Sequence, residues 1–101
     1  MDNVIRIENM DKVYLVVGTI WESGSLEHFC HTVVSENAVH STREGARAEL
    51  YRILEETNKE AKEHEITFEA KMKEHRLEIY WTETETEEHW DLLVRNVDNK
   101  E

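Results

Sequence analysis

The chain has 101 residues, 39% of them hydrophobic, and sets 23 Asp plus Glu against 12 Lys plus Arg for a formal charge of −11. That length suits one domain with one modest core. The charge argues against direct contact with a nucleic acid or an anionic membrane, because phosphate binding depends on cationic neutralisation. No apolar run approaches the ~18 residues of a membrane span, and the start lacks a basic stretch followed by an apolar one, so the chain reads as cytoplasmic. A single cysteine, Cys30, leaves no internal disulfide and fits a reducing compartment.

Residues 1–11 offer only Val4, Ile5 and Ile7 as apolar anchors and read as an N-terminal arm or edge strand, with Met10 an alternative start. Residues 12–101 then form a single α+β domain. Val13 to Trp21 is β-branched, aromatic and nearly continuous in apolarity, which predicts a central strand. Gly18 within it marks a bulge or a close backbone approach. Glu22-Ser23-Gly24-Ser25 supplies a hairpin turn, and Leu26 to Ser35 forms the return strand. There the period of two places Leu26, Cys30 and Val34 on one face and Phe29, His31 and Val33 on the other.

Ser41 with Glu44 reads as a capping box ahead of a helix from about Thr42 to about His64. Its apolar stripe is Ala46, Leu50, Ile53, Leu54, Thr57 and Ala61. Glu49, Arg52, Glu56, Glu60 and Glu63 are expected on the exposed side. Ile66 to Lys73 alternates strictly, with Ile66, Phe68, Ala70 and Met72 inward, and predicts a half-buried antiparallel strand. A turn at Glu74-His75-Arg76 leads to a strand with Leu77, Ile79 and Trp81 inward. Beyond Trp81 two readings compete. Thr84 and Glu87 make a second capping box before a helical stripe of Trp90, Leu92, Leu93, Val94 and Val97, which favours a terminal helix from about Glu85 to Asn96. The alternative is an edge strand over Trp90 to Val94. The expected order is ββαββα, a two-layer α+β domain with an antiparallel sheet.

Catalytic motifs are missing. Six histidines invite a metal site, but on a strand His28 and Cys30 face one way and His31 the other, so the three cannot close on one ion without irregular backbone. Cys30 has no activating helix N-terminus or elbow and reads as a small buried hydrophobe. With three glycines in the chain, no phosphate-cradling loop can be drawn. A non-enzymatic protein without a cofactor or metal is expected.

What remains is the distribution of charge. Residues 55–101 contain 15 acids and 7 bases, against 8 and 5 in residues 1–54. The densest piece is Glu83, Glu85, Glu87, Glu88 and Asp91. Alternate residues on a strand stand about 6.7 Å apart, whereas duplex DNA presents one charge per about 1.7 Å of axis. One row of glutamates is therefore too sparse to imitate a duplex, and Glu49, Glu56, Glu60 and Glu63 on the long helix would have to supply a second. The alternative reading of the same acids is a solvated face that caps and solubilises a helix.

In size, acidity and expected α+β pattern the chain resembles the small acidic DNA-mimic proteins that bacteriophages make to occupy DNA-binding surfaces of host proteins. That resemblance rests on general character and carries no diagnostic motif. It implies a partner such as an HU-type nucleoid protein, or a DNA-repair, restriction or transcription protein. Lys71, Lys73 and Arg76 depart from a uniformly acidic surface. The alternative expectation is an adaptor or assembly domain that binds through apolar surface, with Trp21, Trp81 or Trp90 as anchors, and a homodimer is compatible with either.

Overall fold

A computed structural model describes residues 12–23 and 28–96. The expected arm over residues 1–11, the turn residues Gly24 and Ser25, the strand start at Leu26 and the stripe position Val97 lie outside the described residues. Five strands and one helix follow in the order β1 (Lys12–Ser23), β2 (His28–His40), α1 (Arg43–His64), β3 (Phe68–Met72), β4 (Arg76–Trp81) and β5 (Thr86–Asn96). The strands form one sheet in the order β2-β1-β5-β4-β3, and every neighbouring pair is antiparallel.

The structure corrects the expected ββαββα α+β fold. The expected C-terminal helix over residues 85–96 is not formed: residues 86–96 are β5, and the described residues are mainly antiparallel sheet with a single helix. The reason lies in backbone pairing. β5 sits between β1 and β4 and satisfies both, from Lys12↔Asn96 to Glu22↔Thr86 on one side and from Arg76↔Asp91 to Trp81↔Thr86 on the other. A helix there would leave two ladders of backbone groups without partners. The chain also enters β5 through Glu85 in the left-handed region, with φ 54, a conformation that stops a helix rather than starting one. The edge-strand alternative is likewise corrected, since β5 is longer than Trp90 to Val94 and is internal to the sheet.

α1 covers one face of the sheet. Val16, Leu77, Ile79, Trp81 and Leu92 from the strands meet Ala46, Leu50, Ile53 and Ala61 of the helix, with Tyr14, Leu54, Phe68, Met72 and Trp90 packed around them. The helix begins at Thr42, not in a Ser41–Glu44 capping box: the Thr42 hydroxyl accepts from the Gly45 N–H at 3.0 Å. It ends at Glu65, a left-handed C-cap whose N–H reaches the Ala61 carbonyl. Gly18 is a site of close approach. A Cβ there would lie 2.6 Å from the Trp90 ring, so the indole occupies the space a side chain would need.

β2 continues past its expected end at Ser35 to His40. Its pairing with β1 shifts between Val17↔Val34 and Leu15↔Val39, so residues 35–38 form a bulge. Ser35 Oγ accepts from the Asn37 N–H at 3.3 Å, and the His40 ring lies 2.6 Å from the Asn37 carbonyl, closing the bulge on itself.

Candidate functional site

The acidic residues singled out above do not form one surface. Glu49, expected on the exposed side of the helix, is only 4% exposed. It sits three residues after the buried Ala46, and so on the covered stripe. Arg52 grips it through Nε at 2.8 Å and Nη2 at 2.7 Å, and Ser35 Oγ of the β2 bulge donates to the same carboxylate. The Arg52 hydrogen bonds, helped by Ser35, hold its pKa below the ordinary carboxylate range against the opposing cost of burial. Glu49 thus clamps the bulge to the helix. A spacing of three from Ala46, with Arg52 one turn on, was the sequence signal for this role.

Glu88 is also committed internally. It lies on the helix-covered side, and its two oxygens accept from two indoles: Trp81 Nε1 at 2.8 Å and Trp90 Nε1 at 2.9 Å. Glu83, in the β4–β5 turn, accepts from the Thr67 N–H at 2.9 Å, and that bond, with the Thr82 and Thr67 hydroxyls, lowers its pKa. The contact ties the turn to the segment just past α1. Glu83 and Glu85 therefore lie toward the end of the molecule reached by the acidic half of the helix, where Glu56, Glu60 and Glu63 are exposed.

Glu87 and Asp91 project from the opposite, helix-free face. The pairing registers place its residues in rows across the strands. Glu69, Tyr80, Glu87, Trp21 and Cys30 form one row, and Lys71, Glu78, His89, Thr19 and Thr32 the next. Arg76, Asp91, Val17 and Val34 follow, and then Leu93, Leu15 and Val39, with Val13 beside Arg95 at the end. The β3–β4 side is charged but internally compensated: Arg76 pairs with Asp91 at 2.6 Å, Lys73 with Glu78 at 3.0 Å, and the His89 ring lies 2.6 Å from Glu87. Lys73 depresses the Glu78 pKa, and Asp91 raises that of Arg76. Glu87 and Asp91 thus face bases, on the side away from Glu56, Glu60 and Glu63.

The β1–β2 side of the same face is apolar, and no other described element covers it. Val13, Leu15, Val17 and Leu93 are half-buried, Val34 is 70% exposed and Val39 56%. Trp21, 37% exposed, stands edge-on to His89 with ring centroids 4.7 Å apart. Cys30, expected to be buried, is exposed on this face opposite Trp21; β2 is the outermost strand, and no other described strand pairs with its outer edge. No family model, curated protein or solved structure matches the chain. The surface itself must therefore carry the functional argument. Among the described residues, no three His, Cys, Asp or Glu side chains are grouped to hold a metal ion, and no helix is long and apolar enough to cross a membrane. The aliphatic patch was not legible as a site, since Val13, Leu15 and Val17 read as core until the helix is seen to cover the other face.

Proposed function

We propose that the protein is a non-enzymatic cytoplasmic adaptor or assembly module that docks a partner on the helix-free face of its sheet. The observation that carries this is the contiguous aliphatic patch of Leu15, Val17, Val34, Val39 and Leu93, left uncovered by the described residues beside a compensated charged half. An apolar surface of this kind on a folded domain marks a contact site. The chain's net charge of −11 selects a partner whose own apolar patch is rimmed by Lys and Arg, because charge of opposite sign speeds encounter while the apolar centre supplies the lasting contact. The test is capture from a bacterial lysate with the wild-type protein and with a Val39→Glu/Leu93→Glu variant checked for folding by circular dichroism. A basic-rimmed protein retained at moderate salt by the wild type and lost from the variant supports docking on this face. Equal retention by both overturns it.

A second reading is favoured by one specific contact. The Glu83–Thr67 hydrogen bond brings the β4–β5 turn to the exit of the acidic helix, so Glu56, Glu60, Glu63, Glu83 and Glu85 could together occupy the DNA-binding surface of a basic protein, an HU-type nucleoid protein among them. Glu49 and Glu88 serve the fold in this version, and Glu87 and Asp91 lie on the other face. A Glu56→Gln/Glu60→Gln/Glu63→Gln/Glu85→Gln variant would then lose its competition with DNA for such a protein, with the open face untouched. Unchanged competition would sink the mimic.

A further inference from the structure

The two edges of the sheet are built differently. β3 is five residues long and carries Glu69 and Lys71, the charged, short type of edge that resists pairing with another chain. β2 is thirteen residues long, and its regular stretch from residue 28 to 34 precedes the bulge. In a chain of charge −11, that stretch, His-Phe-Cys-His-Thr-Val-Val, contains no Asp, Glu, Lys, Arg or Pro. It therefore lacks every side-chain device that protects an edge, and its β-branched and aromatic content favours a strand.

We infer that residues 28–34 of β2 pair antiparallel with the same residues of a second copy, joining two sheets edge to edge. The uncharged stretch is where charge allows a second copy to approach. A molecule this acidic repels itself over most of its surface, whereas residues 28–34 carry no carboxylate of their own, and Glu22 of the neighbouring strand, 3.7 Å from the His31 ring, is set against an imidazole. Symmetry agrees. An antiparallel strand pair has its two-fold axis perpendicular to the sheet, which keeps both open faces on one side and both helices on the other. With the axis at His31, Thr32 stands opposite Cys30 of the copy, and Val34 gains a cross-strand neighbour on the flank where it is now 70% exposed. The aliphatic patch then runs on from one copy toward the other. This pairing is independent of what docks on the open face; either can fail alone.

The test is self-association of the full chain, measured by sedimentation equilibrium and light scattering up to millimolar concentration. The wild type is expected to reach twice the chain mass. Thr32 is exposed on the edge strand, so Thr32→Lys and Thr32→Glu variants should keep the wild-type circular dichroism. Each alone should weaken self-association about tenfold or more, because like charges meet near the axis. An equimolar mixture of the two should restore it, since opposite charges now face each other across the same diagonal. A monomeric wild type overturns the inference. So does dimerisation that neither substitution weakens, or a mixture no stronger than its components.

Discussion

The two faces of this sheet are made by the same strands yet are subject to different constraints. On β1, Val16 is fully buried under α1 while its neighbours Leu15 and Val17 point the other way and remain half-exposed. On β5, Leu92 is buried and Leu93 is not. Both faces are aliphatic at this point, so hydrophobicity does not distinguish them; only the position of the helix does. An apolar strand in a small domain therefore has two possible meanings, core or contact surface, and alternation separates them only when a covering element is located.

Substitutions can break that comparison in order of size. Leu50→Ala or Leu77→Ala removes a side chain with no exposure at all and should cost about 2–5 kcal/mol, read from urea unfolding. Gly18→Ala should cost about 1–3 kcal/mol by overpacking, because the new Cβ meets the Trp90 indole; a shift in tryptophan emission should accompany it. Glu49→Gln weakens the clamp between helix and bulge and should cost about 1–2 kcal/mol at neutral pH, given that Arg52 is partly solvated. Its pH dependence has a definite sign. The folded-state pKa of Glu49 is lowered, so its contribution is present above the unfolded-state pKa and is lost as pH falls through the folded value. The stability gap between wild type and Glu49→Gln should therefore close on acidification. On the open face, Val34→Thr should change stability by no more than about 0.5 kcal/mol. A larger loss in a demonstrably monomeric sample would mean that this face is part of the core after all.

Much of the fold was legible. The apolar run of β1, the stripe of α1 and the inward set Leu77, Ile79 and Trp81 follow from periodicity, and the structure places them so. The last strand was not, because Trp90, Leu92, Leu93 and Val94 fit a helical stripe as well as an alternating one. Thr84 and Glu87 imitate a capping box, yet the acids beside them serve other ends: Glu88 binds two indoles and Glu87 meets His89. Choosing between the two required knowing that β1 and β4 both lacked a neighbour, which is long-range information. Charge density in the sequence misled for a similar reason. Glu83, Glu88 and Asp91 lie within one short stretch of the chain, but strand alternation and a turn send them to different sides of the molecule.

The central position of β5 also governs how the chain can assemble. The β1–β5 ladder joins Lys12 to Asn96 and Glu22 to Thr86, so the middle of the sheet depends on contacts between the first and last described strands, with β2, α1, β3 and β4 between them in the chain. Such high contact order slows folding, because a large loop must close before its contacts stabilise it. During synthesis, β1 and its apolar sides must wait until β5 has emerged. The β1–β2 hairpin and α1 are the parts that can form early, and the arrival of β5 should be the step that commits the molecule to its native state.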